Sequence, residues 1–373
     1  MAGDITAPQV PRIGNEGASR IASLDGIRTL SFLLVFVAHA GAYDRIPGGF
    51  GVCVFFFLSG FLITSLLRQE LAETGTISLR GFYTRRMGRI FPPMYVVLIL
   101  SVILSLAGLT LNRVQLGPVL RQALYLTNYR TIFSDDMQHV ANGTEVLWSL
   151  AVEEHFYLVF PLVFLALSRL SQRGRALVLL SLMAVVLTWR CVLVFRFHVP
   201  SDRTYLATDT RIENILWGCL LAVWANPVFD NRFRLQRKAE HVLGAVCVAL
   251  LLVTFVWRNP MFRETFRYSL QGLALFPLFH IAVRRAAEPP FRWLNGNLIK
   301  LIGRRFSYSL YLVHFIVINT LHHEFPQVNV WVRGVMALAV SAAVAVLMYY
   351  LVERPCLERL KRIRPTPPRP RIA

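Results

Sequence analysis

Arg28 and His39 stand eleven positions apart in an otherwise apolar run. At 100° per residue that separation is about 20° beyond three full turns, so on a helix both side chains share a face, about 16 Å apart along the axis. Ionisable groups inside an apolar segment are costly and mark function by default. A guanidinium at one end suits a phosphate, and an imidazole at the other can take a hydroxyl proton near neutral pH. The competing reading has Arg28 snorkelling to lipid phosphates and His39 capping a helix end.

Glu153 and Glu154 open a second apolar run, in the sequence Trp148-Ser149-Leu150-Ala151-Val152-Glu153-Glu154-His155-Phe156-Tyr157. The sequence places Glu153 one or two turns below the membrane surface, level with His39. A carboxylate beside an imidazole fixes its tautomer and stabilises the imidazolium, a general-base arrangement. The alternative is an interfacial anchor, with Trp148 and Tyr157 in the aromatic belt. Arg86 and Arg89 lie i, i+3 at the entrance of a third run and share a helix face. Paired guanidinium forks suit a diphosphate, although basic residues also gather there for topological reasons. Asp209-Thr210-Arg211, with Glu213, forms a further charged group, acceptor-facing or structural. Ser59-Gly60 reads as a close-packing pair. No Gly-Xaa-Ser-Xaa-Gly elbow is present, and no Cys or His pair has metal-ligand spacing, so neither a soluble-type hydrolase nor a metal site is expected. The adjacent His322-His323 reads as a solvated pair.

The elements that must position these groups follow from composition. Of 373 residues, 55% are hydrophobic and 16% charged, against about 25% charged in soluble domains. Ten apolar runs are long enough to span a bilayer or nearly so, at roughly 27–43, 50–68, 90–108, 147–167, 176–196, 205–225, 241–257, 268–284, 298–320 and 333–352. The fold class is therefore all-α, a polytopic helical membrane bundle of about ten spans. With the N-terminus inside, the inner loops and tails hold 27 Lys and Arg and the outer loops 10. That asymmetry puts both termini in the cytoplasm. It also accounts for the net charge of +19 without nucleic acid. The first twenty residues lack the apolar core of a signal peptide, so the first span is expected to be an uncleaved anchor. Four of the five cysteines fall in apolar runs and Cys356 in a basic tail, so no structural disulfide is expected. The chain divides into an N-terminal tail (1–23), a transmembrane domain (24–355) and a basic tail (356–373), Pro- and Arg-rich from Arg364. A long outer loop, about 109–146, carries an amphipathic stretch at Val114–Leu126.

The ordered motifs resemble the bacterial acyltransferase-3 family. They are Leu24-Asp25-Gly26-Ile27-Arg28 to His39, Phe55-Phe56-Phe57-Leu58-Ser59-Gly60-Phe61-Leu62-Ile63-Thr64, Arg86-Xaa-Xaa-Arg89-Ile90-Phe91-Pro92, Trp148-Ser149-Leu150 through Glu153-Glu154-Xaa-Phe156-Tyr157, Thr210-Arg211, Tyr308-Ser309-Xaa-Tyr311-Leu312-Xaa-His314, and Glu353-Arg354-Pro355. Each is weak alone; seven in order are specific. The resemblance implies ten spans in the bacterial inner membrane and an O-acyltransferase. Acyl-CoA, with acetyl-CoA expected, is its co-substrate rather than a bound cofactor, and the acceptor is a hydroxyl of an extracytoplasmic or lipid-linked glycan. It implies functional roles for Arg28, His39, Arg86 and Arg89. His155 departs from the pattern, where Gln is expected. Rival readings are a transporter of a glycan precursor or small molecule, which would show inverted repeats, and an acyltransferase acting on a small molecule such as a macrolide. Neither the acceptor nor the choice between direct transfer and an acyl-histidine is legible.

Overall fold

The computed structural model describes residues 22–42, 45–109, 114–133, 139–230 and 235–362. The expectations for the N-terminal tail before residue 22 and for the Pro-rich end from Arg364 lie outside them. Among the described residues every regular element is a helix: α1 (Ala22–Val37), α2 (Gly48–Thr74), α3 (Leu79–Leu106), α4 (Leu116–Ala123), α5 (Thr127–Phe133), α6 (Leu147–Leu167), α7 (Gln172–Phe195), α8 (Ser201–Leu206), α9 (Thr208–Trp224), α10 (Arg237–Val256), α11 (Pro260–Glu264), α12 (Phe266–Arg284), α13 (Asn297–Leu301), α14 (Ser307–Glu324), α15 (Val330–Met348) and α16 (Arg354–Arg362). π-helical turns extend α1 at Ala38–Ala42, join α13 to α14 at Ile302–Phe306, and join α15 to α16 at Tyr349–Glu353.

The boundaries have local causes. The Ser78 and Ser171 side chains accept from Gly81 N and Gly174 N at 3.1 Å and start α3 and α7, satisfying donors that a helix start leaves open. Gly75 ends α2 in the left-handed conformation (φ 74°), which costs glycine nothing.

Among the described residues, eight helical stretches are long and apolar enough to cross a membrane: Ser23–Ala42, Gly48–Thr74, Leu79–Leu106, Leu147–Leu167, Gln172–Phe195, Arg237–Val256, Asn297–Glu324 and Val330–Leu360. The protein is thus a polytopic helical membrane protein. The other two of the ten expected runs are helices as well, α9 and α12. They are shorter, at 17 and 19 residues, and α9 carries Arg211 and Glu213, which the fold buries against protein.

The chain forms two compact units. The first comprises the chain up to Val35, Pro47–Ile77 and His155–Arg304. Its centre is the contact of α2 with α9. A Cβ on Gly60 would lie 1.9 Å from the Ile215 carbonyl oxygen, and one on Gly218 would lie 1.9 Å from that of Phe57. Only glycine at both positions lets the backbones approach so closely, which confirms the packing role read for Ser59-Gly60. Phe57, Phe61 and Leu221 fill the core beside this crossing. Arg190 is fully buried on α7 and spends its donors on Glu213 Oε2 (2.7 Å), the carbonyls of Thr210 and Thr265, and Ser269 Oγ (each 2.9 Å). A buried charge persists only when so satisfied. Arg68 holds Asp230 through two bonds of 3.1 Å.

The second unit comprises Phe36–Ile46, Ser78–Glu154 and the chain from Arg305 onward. α14 packs on α15, and α16 folds back onto α3, where Gly88 accommodates the Leu360 side chain. The loop between α5 and α6 is strapped to α14. Asn319 donates to Asn142 at 2.9 Å, and Gly143 (φ 91°) lies against the Ile316 backbone. The five cysteines are free; Cys53, Cys219 and Cys247 are buried, while Cys191 and Cys356 are half-buried.

Candidate active site

His39, Arg86, Arg89, Glu153 and Glu154 all fall in the second unit. Arg28, Asp209 and Arg211 fall in the first.

His39 sits on the π-helical turn that ends α1. Such turns widen the helix by one residue and recur at functional sites. Gly41 closes it at φ 125°, with the Cβ position 2.4 Å from Val330 Cγ2, so no larger residue fits. The even winding that sets His39 on the face of Arg28 therefore holds to Val37 and is altered from Ala38 on. His39 Nδ1 lies 3.0 Å from Nε2 of His314, and His314 Nδ1 lies 2.7 Å from the Tyr311 carbonyl oxygen. His314 is fully buried on α14, with Phe36 and Tyr311 around it.

The neighbour of His39 Nδ1 is thus an imidazole, where the sequence puts Glu153. Pairing along α6 and α14 explains why. Asn142 meets Asn319, Gly143 meets Ile316, and the Ser149 and Tyr311 hydroxyls meet at 2.6 Å. Glu154 then lies within electrostatic reach of Tyr308. Numbers rise on one strand of this ladder and fall on the other, so the segment leading through α6 runs antiparallel to α14. Glu153 is four residues past Ser149 in one direction, and His314 is three past Tyr311 in the other. At 1.5 Å per residue they stand about 10 Å apart along the axis. Glu153 thus belongs to a layer about 10 Å along the axis from His314, with Tyr311 in its electrostatic reach.

That layer holds the arginines. Glu154 faces Arg86. Glu353, on the π-turn before α16, faces Arg89 and accepts from Ser309 Oγ. Tyr308 donates to the Ile90 carbonyl at 2.9 Å, tying α14 to α3 one residue past Arg89. Arg86 is half-buried and Arg89 exposed. Tyr125 completes the layer. Its backbone is left-handed (φ 58°), a strained state for an aromatic residue. Its ring packs on Phe91, and its hydroxyl is buried with no hydrogen-bond partner among the described residues. Burial first, and the Glu154 carboxylate second, push this phenol up from its ordinary value. A strained backbone holding an unsatisfied polar group is a common mark of a functional site.

The remaining sites of the sequence reading have structural partners. Arg28 pairs with Asp25 at 3.2 Å. Asp209 takes both Arg203 and the Trp189 indole N–H (2.7 Å). Arg211, fully buried, stacks over Tyr268 at 4.1 Å, with Tyr205 and Phe56 at 5.2 and 5.6 Å. His155, the departure from the family pattern, pairs Nδ1 with Thr208 Oγ1 at 2.7 Å at the start of α9.

His314 closes the Tyr308-Ser309-Xaa-Tyr311-Leu312-Xaa-His314 motif, whose residue types alone give it no role. Tyr125 gives no sequence signal, because neither its backbone angle nor its burial is written in a residue type. Among the described residues no group of three His, Cys, Asp or Glu could hold a metal.

The sequence model of the acyltransferase-3 family, described as an acyltransferase domain, matches residues 21–350. The chain belongs to that family. It is 29% identical over 352 residues to the peptidoglycan O-acetyltransferase OatA of Listeria monocytogenes, covering 90% of this chain and 55% of that protein. To the O-acetyltransferase OatA of Staphylococcus aureus it is 29% identical over 344 residues, covering 89% and 56%. The chain therefore spans about half the length of the curated relatives it matches. No solved structure matches it.

Proposed function

We propose that this acyltransferase-3 chain is a membrane O-acetyltransferase. It takes an acetyl group from acetyl-CoA on the cytoplasmic side of the bacterial inner membrane and passes it to a hydroxyl of an extracytoplasmic glycan, with peptidoglycan the first acceptor to test. The names of the relatives support the reaction class and the acceptor class. One observation carries the assignment to this chain's own residues. A column of polar groups runs inside the second unit, from Arg89 and Glu353 through Arg86, Glu154 and Tyr308 to Ser149, Tyr311, His314 and His39. Polar groups inside an apolar bundle are costly; a column of them is a path for a polar substrate.

Arg86 and Arg89 would hold the CoA phosphates by charge-assisted bonds. His39, at the far end, would deprotonate the acceptor hydroxyl as it attacks the thioester carbonyl. The positive-inside bias supports a cytoplasmic position for the arginine end. The test is mass spectrometry of muropeptides from cells expressing wild type or His39→Gln. Acetylated muropeptides are expected only with wild type, because losing a general base costs about 10²–10⁴ in rate. Equal acetylation by both would remove His39 from the reaction. No acetylation by either, with the protein inserted, would remove peptidoglycan as the acceptor.

A further inference from the structure

We infer that His314 is a positioning residue that fixes the tautomer of His39, leaving Nε2 of His39 as the base. The inference rests on the acyl-transfer reading for its consequence but not for its geometry.

The Tyr311 carbonyl oxygen can only accept, so His314 Nδ1, 2.7 Å away, must carry the hydrogen. A neutral imidazole with its hydrogen on Nδ1 has its lone pair on Nε2. That lone pair faces His39 Nδ1 at 3.0 Å, so His39 Nδ1 donates and His39 Nε2 keeps the lone pair. The ring positions fit a directed bond rather than a stack. Ring atoms of an imidazole lie about 1.15 Å from the centroid, so an in-line bond of this length sets the centroids about 5.3 Å apart. The observed separation is 5.2 Å, with ring planes 10° apart. The chain of bonds is therefore read in one direction from a helix backbone that cannot titrate. Full burial of His314 excludes water as a competing partner.

In the transfer step, the acceptor O–H bond breaks and its proton moves to Nε2 of His39, while the oxygen forms the new bond to the acetyl carbon. The C–S bond of the thioester breaks, and the departing thiolate takes the proton from the imidazolium. During that step the His39 Nδ1–H···Nε2 His314 bond becomes charge-assisted, and such bonds are about twice as strong as neutral ones. His314 thus favours the charged intermediate without touching either substrate.

The test reads the tautomer directly. Full-length protein is labelled with ¹⁵N-histidine and reconstituted in lipid nanodiscs, with His39→Gln assigning the His39 signals. In wild type, ¹⁵N shifts and long-range ¹⁵N–¹H couplings should show His39 protonated at Nδ1 and bare at Nε2. In His314→Leu that preference should be lost. His314→Gln, whose amide oxygen can accept from Nδ1, should retain it. Release of thiol from acetyl-CoA with chitopentaose as acceptor should fall about tenfold or more in His314→Leu through kcat, with acetyl-CoA binding unchanged, and recover in part in His314→Gln. A wild-type His39 protonated at Nε2 would overturn the inference, with no variant needing to fold. An unchanged tautomer in a folded His314→Leu would do the same. The expected tautomers with no thiol release would leave the positioning intact and count against the transfer reading instead.

Discussion

Arg86 and Arg89 sit one turn apart on α3 yet meet different surroundings. Arg89 is exposed, while Arg86 is half-buried facing Glu154. Arg89→Ala should therefore weaken acetyl-CoA binding by about 1.5–3 kcal/mol, the range for hydrogen bonds to charged groups, and lower the melting temperature only slightly, because its guanidinium reaches Glu353 from an exposed, solvent-screened position. Arg86→Ala should lose binding and also lower the melting temperature, because it strips a counter-charge from a carboxylate in the interior. Adding Glu154→Gln to Arg86→Ala should restore the melting temperature but not the binding. Calorimetric titration with acetyl-CoA and thermal scans in nanodiscs separate the two effects; equal stability of both single variants would show that Glu154 does not depend on Arg86. The i, i+3 spacing of these arginines is legible in the sequence. Their carboxylate partners are not, since Glu154 and Glu353 come from helices 65 or more positions away.

Helices are the most legible level. The run at 147–167 coincides with α6, and the other spans agree to within a turn or two except the third, whose helix α3 begins at Leu79, about three turns before residue 90; apolar length and capping residues are local properties. The π-helical turns are not legible, because α and π winding accept the same residues and the choice is made by what packs outside. The pairing of the α6 lead-in with α14, which sets Glu153 and His314 in different layers, depends on tertiary contact as well. That lead-in holds a pH-sensitive element. Glu145 accepts from Gly143 N at 2.7 Å, and burial pushes its carboxyl up to about 7 despite that bond. A raised carboxyl pKa means the folded state binds the proton more tightly. The contribution to stability is complete below the unfolded value and is lost as pH rises through about 7. Wild type should thus lose melting temperature relative to Glu145→Gln between pH 5.5 and pH 8. Parallel profiles for the two proteins would show that Glu145 keeps an ordinary carboxyl.

At the scale of the whole molecule, composition and charge asymmetry alone make a polytopic helical membrane protein legible. Of the two runs not among the eight spans, α9 carries Arg211 and Glu213 and α12 carries Pro277. The 27 basic residues expected inside against 10 outside make cytoplasmic termini the expectation to test. Alkaline phosphatase fused after Ala373 should be inactive, and fused near Asn142 it should be active. The opposite pair of results would invert the direction of transfer proposed for the polar column.

The five free thiols have a practical consequence for optical work on this protein. Cys53, Cys219 and Cys247 are shut inside the packing, and Cys191 lies within the apolar span α7. Cys356 alone stands on the polar helix α16, one face of which rests on the helix that carries both arginines. A water-soluble maleimide dye should couple at that single position without any background substitutions. The native chain thus offers its own fluorescent handle, placed where arrival of a nucleotide thioester at Arg89 would change the dye's surroundings.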